Sequence, residues 1–382
     1  MELLTLGVTH VLKPELLVGL AVLVAFFVLA GLLLQVIGSA RDARRFPPPG
    51  QLVDVGGHRL HIYCMGGGTP AVVMDSGFPG SSLSWTFVQP ELAGFTHVCS
   101  YDRAGLGWSD AGLMPRSSRQ IVEELHALLF NARVEGPFVL VGHSFGTFTV
   151  RLYASTYPGD VVGMVLLDPI HPSEWFEMTE AEARKLAGAI RLSRYGALLA
   201  RLGVARLISI LVRLGAPGLA RTSVSLVTGG TLADAEHMIA PLAKLPSELR
   251  PIIAALWTQP KFFDAIVSQA EALPQSAAQV AASGDYGDIP LVVISARSSS
   301  PSQVKGHEAL AHLSSRGKHI VASKSGHWIQ LDEPDLVVVS IREVVESVRR
   351  RSRTTWSARR EGEHKLKEMV EIDVDVSGKV SH

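Results

Sequence analysis

Ser144 stands between two glycines in Gly142-His143-Ser144-Phe145-Gly146, directly after the apolar run Pro137-Phe138-Val139-Leu140-Val141. Glycine on either side removes the Cβ atoms that would keep a strand and a following helix apart, so the serine is forced onto a tight, strained turn at the strand's C-terminal end. Its Oγ then faces a pocket instead of the core. A hydroxyl so placed is a candidate nucleophile for acyl transfer. The amphipathic stretch Thr147 to Tyr157 supplies the helix that such an elbow requires.

A serine of this kind needs a base, and Ser325-Gly326-His327-Trp328 offers one just after the strand-like segment Lys318-His319-Ile320-Val321-Ala322. Imidazole titrates near neutrality, so His327 can take the serine proton and return it to a leaving group. A plain surface histidine in a Ser-Gly-His turn is the structural alternative in a chain with 14 histidines. No metal-ligand clustering, phosphate-binding G-x-x-x-x-G-K-[ST] loop or dinucleotide fingerprint occurs, so no cofactor is implied. The formal net charge of zero gives no sign of nucleic-acid binding.

The elements that must position these residues begin with a β-hairpin, Gln51 to Val55 and Arg59 to Cys64 about Gly56-Gly57. Apolar runs then alternate with helical stretches: Ala71 to Met74, His97 to Tyr101, Phe138 to Val141, Gly163 to Leu167, Leu291 to Ser295 and His319 to Ala322. The expected architecture is α/β, with a mostly parallel eight-stranded sheet. Cys64 and Cys99 fall on strands that would be neighbours, and buried free thiols are the expectation for them.

Gly142 to Gly146, the segment Tyr101-Asp102-Arg103-Ala104-Gly105-Leu106-Gly107-Trp108-Ser109 and Ser325-Gly326-His327 together resemble the α/β-hydrolase superfamily, over roughly Gln51 to Arg349. The nearest branch contains esterases, proline iminopeptidases, epoxide hydrolases and haloalkane dehalogenases. The last two carry a carboxylate at the elbow, whereas serine with histidine forms an acyl ester from an ester, thioester or amide. The resemblance implies the chain order serine, acid, histidine, and so favours His327 as the base. The usual acid position follows Leu291 to Ser295, but the chain continues Ala296-Arg297-Ser298-Ser299-Ser300, without a carboxylate. Some members place the acid after the preceding strand, where this chain has Asp168-Pro169, so Asp168 is the candidate; a loop-capping aspartate is the alternative. Asp285 and Asp288 precede a strand, and Asp332 reads as a helix N-cap. Phe145 by position, and Phe78 by resemblance of Ser76-Gly77-Phe78-Pro79-Gly80 to the family's oxyanion loop, should supply the amides of the oxyanion hole. Asp102 and Arg103 read as a scaffold pair holding a Gly-rich loop.

Ahead of this region, Leu16 to Ile37 has no charge and is long enough to cross a bilayer, so residues 1–46 read as a membrane anchor with a single transmembrane helix. No amphipathic alternation is visible along it. Arg41, Arg44 and Arg45 follow it, which points the hydrolase towards the cytoplasm. The hydrolase core is expected at 47–169 and 289–348, interrupted by a helical lid at 170–288, with a flexible charged tail at 349–382. Within the lid, Ala183 to Ala233 carries eight Arg or Lys and no Asp or Glu, so it could lie against headgroups or pack as an ordinary solvated face. The expectation is a membrane-anchored serine hydrolase acting on a small-molecule acyl substrate, with membrane lipid as a neighbour. An amidase or aminopeptidase, with Glu174 and Glu177 as candidate amine ligands, and a non-catalytic binding protein are the alternatives.

Overall fold

The computed structural model describes residues 13–176, 178–213 and 244–353. Its first element is helix α1 (Pro14–Arg45), entered through a proline at the first turn and carrying an 18-residue window of mean hydropathy 3.0. That is long and apolar enough to cross a membrane. Leu16 to Ile37 is largely exposed, but the last turns carry one packed stripe: Gln35 is buried, and Gly31, Leu34, Gly38, Ser39 and Asp42 are half-buried. The stripe was not expected from composition, because glycine and serine do not register as an apolar face.

Strands β1 (Gln51–Asp54) and β2 (Arg59–Met65) form the hairpin, with Gly56 and Gly57 at φ 108° and 95° in its turn. The remaining strands are β3 (Ala71–Asp75), β4 (Val98–Tyr101), β5 (Phe138–His143), β6 (Val161–Leu167), β7 (Leu291–Ala296) and β8 (Gly317–Ala322). They form one eight-stranded sheet in the order β1-β2-β4-β3-β5-β6-β7-β8, parallel from β4 onward. Side chains of β3 to β7 are buried almost throughout, as expected of strands covered on both faces. Helices α2 (Gln89–Ala93), α3 (Ser118–Asn131) and α4 (Gly146–Thr156) fill the crossovers. One core layer packs α3 and α4 on the sheet; the other packs α2 and a helix over residues 334–353.

Between β6 and β7 the described chain is helical: α5 (Ser173–Phe176), α6 (Glu180–Arg201), α7 (Val204–Arg213), α8 (Arg250–Trp257), α9 (Pro260–Glu271) and α10 (Leu273–Ala281). Thr179 and Glu182 form a reciprocal cap at the start of α6. The basic stretch proves largely paired where it is described. Arg184 meets Glu180, Arg194 meets Glu271, Arg201 meets Asp264 and Arg206 meets Asp42. All four acids lie outside the stretch, and Glu271, Asp264 and Asp42 come from distant parts of the chain that a window along the sequence cannot see.

Three expectations change. Cys64 and Cys99 are not free thiols: antiparallel β2 and β4 set them directly opposite, and they form a disulfide. Neighbouring strands were legible, but register was not. The tail expected from 349 is helical over 349–353, where the 334–353 helix runs on and Arg349 donates to the carbonyls of Thr69 and Phe95; the rest of it, 354–382, lies outside the described residues. Asp332 is no N-cap. It ends the short helix α12 (Ile329–Asp332), which follows α11 (Pro301–Ala311), and accepts from Lys244 Nζ and the Gly326 amide.

Candidate active site

The elbow is as tight as its glycines suggest. A Cβ on Gly142 would lie 2.8 Å from the carbonyl of Gly146, and one on Gly146 would lie 2.5 Å from the Asp75 carbonyl oxygen. Ser144 adopts φ 51°, left-handed backbone that non-glycine residues rarely take, and its amide donates to the Leu167 carbonyl at 2.9 Å. Strain of this kind persists only where surroundings over-determine it. Here β5 is clamped between β3 and β6, and Thr147 Oγ1 donates to the Ser144 carbonyl at 2.6 Å.

Asp168 follows β6 with φ 40°, a second left-handed non-glycine residue. Its amide continues the β6–β7 pairing by donating to the Ile294 carbonyl at 2.7 Å. Its Oδ2 meets His327 Nδ1 at 2.7 Å. Its Oδ1 accepts from the Ala296 amide at 3.1 Å and from Ser299 Oγ at 2.7 Å. Burial pushes the carboxyl up, but the hydrogen bond and charge of His327, followed by Ser299 and Ala296, outweigh it and hold it at about 2. The carboxylate is therefore ionised at neutral pH and aimed at one imidazole nitrogen. Ser299 stands in the loop after β7, where the resemblance places the acid, and its hydroxyl there supports the Asp168 carboxylate at the end of the neighbouring strand.

The loop carrying His327 is fixed from beneath. His143, the residue before the serine, is fully buried and its Nε2 lies 2.7 Å from the His327 carbonyl oxygen, while Gln330 Nε2 lies 3.2 Å from its Nδ1. A carbonyl can only accept, so Nε2 carries the proton and Nδ1 accepts from the Gln330 amide. Burial, with repulsion from His327 next, pushes the His143 imidazole down to about 3, so it is neutral. Its ring lies 4.8 Å from that of His327 and 4.9 Å from that of Trp328. Gly77 makes room for it, since a Cβ there would sit 2.6 Å from His143 Nδ1. The same loop is tied by Gly326 N–H to Asp332 Oδ2 at 3.0 Å and Lys324 N–H to Glu333 Oε1 at 2.6 Å. None of these supports was assigned from the sequence; only the elbow position of His143 signalled its proximity.

Facing the elbow, Phe78 and Phe145 bring their rings to 6.5 Å. Among the described residues no acceptor meets the amide N–H of either. The loop carrying Phe78 is held by Arg103, which donates to Asp75 Oδ1 at 2.6 Å and to the carbonyls of Ser76 and Gly77 at 2.5 and 3.0 Å. Asp102 and Arg103 are thus scaffold but do not pair with each other. Asp102 instead meets His61 Nδ1 at 2.9 Å and accepts from the amides of Ser82 and Trp108. Glu174 accepts from the His171 amide, and burial pushes its carboxyl up, which weakens it as an amine ligand; Glu177 lies outside the described residues.

Elbow, acid, histidine and the Phe78 loop all sit at the C-terminal edge of the parallel strands, where open α/β sheets bind ligands. A family model described as alpha/beta hydrolase fold matches residues 70–193. Uncharacterized protein YqjL of Bacillus subtilis (strain 168) is 37% identical over 98 residues, 26% of this chain and 39% of that protein. Proline iminopeptidase of Heyndrickxia coagulans is 33% identical over 122 residues, 31% of this chain and 42% of that one. The chain thus spans less than half the length of these curated relatives. A thermophilic esterase from Thermogutta terrifontis superposes with a TM-score of 0.55 at 18% identity, over 78% of this chain and 97% of that one, a likeness of fold. With this sheet order and the elbow after its fifth strand, the chain has the alpha/beta hydrolase fold.

Proposed function

We propose that this chain is a membrane-anchored serine hydrolase that cleaves carboxylic esters, lipid-like esters among them, through an acyl-Ser144 intermediate. The observation that supports it best is the 2.7 Å contact of His327 Nδ1 with Asp168 Oδ2, on a loop tied through His143 to a serine held at φ 51°. Ser144 Oγ attacks the acyl carbonyl while His327 Nε2 takes its proton. Asp168 keeps Nδ1 protonated and stabilises the imidazolium. The amides of Phe78 and Phe145 receive the developing oxyanion. His327 then protonates the departing alcohol, and water, activated by the same nitrogen, releases the acid.

The test is labelling by a fluorophosphonate. The folded wild type should react and Ser144→Ala should not; an unreactive wild type, or a reactive alanine variant, would sink the assignment. The likeness to proline iminopeptidase favours a second reading as an amidase or aminopeptidase. A panel of p-nitrophenyl esters against aminoacyl anilides separates the two.

Helix α1 is the proposed anchor, and two signals bear on its orientation. Arg41, Arg44 and Arg45 favour the cytoplasm for the domain, while the Cys64–Cys99 disulfide favours an oxidising compartment. The disulfide carries more weight, because three charges in a short flank bias orientation only slightly.

A further inference from the structure

We infer that the crevice between α1 and α7 binds the phosphate headgroup of an anionic membrane phospholipid. This rests on the reading of α1 as a membrane span. The crevice has a volume of about 610 Å³, and its lining includes Arg41, Arg44, Arg45 and Arg206 against one acid, Asp42. Among the described residues, four positive charges and one negative leave the lining at +3.

The charges are not equivalent. Arg206 is buried, pairs with Asp42, and donates through Nε to Gln35 Oε1 at 3.1 Å and through Nη2 to Ser39 Oγ at 3.2 Å. Its donors and Asp42, the only carboxylate among the described lining residues, are therefore committed to each other, and form a fixed wall. Gly38 permits the approach, since a Cβ there would lie 2.5 Å from Arg206 Cδ. Arg41, Arg44 and Arg45 are exposed, and among the described residues no carboxylate pairs with them. Guanidinium groups are the side chains best matched to a phosphate diester.

The position selects a lipid over a free anion. At a rise of about 1.5 Å per residue, the apolar turns up to Ile37 span roughly one hydrocarbon core, which brings Arg41 to Arg45 to the level of the headgroups. The lining changes in the same direction: Leu34, Ile37 and Ile210 supply apolar contacts beside the arginines. A diester with its chains running back along α1 satisfies both ends of this gradient. Inorganic phosphate satisfies one. The arginines then serve headgroup binding whichever side of the membrane the domain occupies.

The full-length protein should be released from micelles containing phosphatidylglycerol and phosphatidylcholine and weighed by native mass spectrometry, beside the variant Arg41→Gln/Arg44→Gln/Arg45→Gln. Phosphatidylglycerol adducts should dominate on the wild type, with apparent affinity falling on the order of 100-fold in the variant. Equal retention of the two lipids, or equal phosphatidylglycerol retention by the variant, overturns the proposal. Displacement by inorganic phosphate at millimolar concentration also overturns it, since the site would then be a simple anion site. Carbonate extraction of membranes separates the two readings. A protein that is washed off refutes the anchor and the lipid site together, while one that stays inserted without lipid preference refutes the lipid site alone.

Discussion

The elbow at Ser144 and the seam where α1 meets α6 and α7 are both close approaches that only glycine permits, and both are completed by buried polar groups. At the elbow the two glycines and Ser144 lie within five consecutive residues, so the spacing itself announces the geometry. At the seam a Cβ on Gly31 would lie 2.1 Å from the Leu202 carbonyl oxygen, and Arg206 reaches Gln35 across a separation of 171 residues. Local constraint is written in a motif; distant constraint is written as two unremarkable halves. The energetics differ too. The site spends hydrogen bonds on holding one carboxylate and one imidazole in register, whereas the seam buries a guanidinium whose desolvation is offset only while Asp42, Gln35 and Ser39 all remain in place.

The largest expected break lies in the site. Asp168→Asn should lower kcat by about 10³ to 10⁴, because an amide favours the wrong imidazole tautomer and cannot stabilise imidazolium. Asp288→Asn, whose carboxylate pairs with exposed Arg351, should leave kcat nearly unchanged. Exchanged outcomes in steady-state assays would move the acid elsewhere.

His143 sharpens the comparison through pH. Its folded value of about 3 lies below the ordinary 6.5, so the unfolded chain gains a proton over that interval that the native state refuses. The stability of the buried neutral ring is complete above about 6.5 and is lost as pH falls towards 3, a total of a few kcal/mol. The neighbours facing it are His327, Asp168 and Arg103. Asp168 acts in a lower window: its contribution holds above about 3.8 and disappears towards 2. His143→Asn should start less stable but show a shallower decline of urea midpoint between pH 6.5 and 4. An unchanged slope would mean that this ring is not the group being titrated.

At the seam, Gly31→Val should cost about 1–3 kcal/mol in thermal unfolding in detergent, since the Leu202 backbone must move. Turnover of a short soluble ester by the surviving folded enzyme should stay within about twofold. Unaltered unfolding would show that α1 does not pack on the α6–α7 corner in solution.

Legibility followed the same divide. The eight strands, the tight turn at Ser144 and the nearness of Asp168 to His327 could be read because apolar runs, punctuating glycines and chain order are local or sequential signals. The disulfide needed register, which no pattern in β2 or β4 carries. The basic run between β6 and β7 concealed its pairing because Glu271 and Asp264 arrive from α9. Ser299 was visible only as a missing carboxylate, and its use became clear once β6 and β7 were set side by side.

Ser299 therefore gives the finest test, with the smallest expected effect. Its hydroxyl donates to Asp168 Oδ1 at 2.7 Å, beside the Ala296 amide at 3.1 Å, so Ser299→Ala removes one of two donors that orient the carboxylate. A hydrogen bond to a charged group contributes about 1.5–3 kcal/mol, but the remaining amide retains part of the orientation. The expected result is a fall in kcat of roughly tenfold with KM unchanged, because Ser299 acts through Asp168. Ser299→Thr keeps the hydroxyl and should recover most of the loss. A variant that loses KM instead, or that threonine fails to rescue, would mean that Ser299 acts on the pocket wall. Combined with Asp168→Asn, the alanine change should add almost nothing, since the carboxylate it positions is already gone. A full further tenfold loss in that double variant would separate Ser299 from the acid altogether.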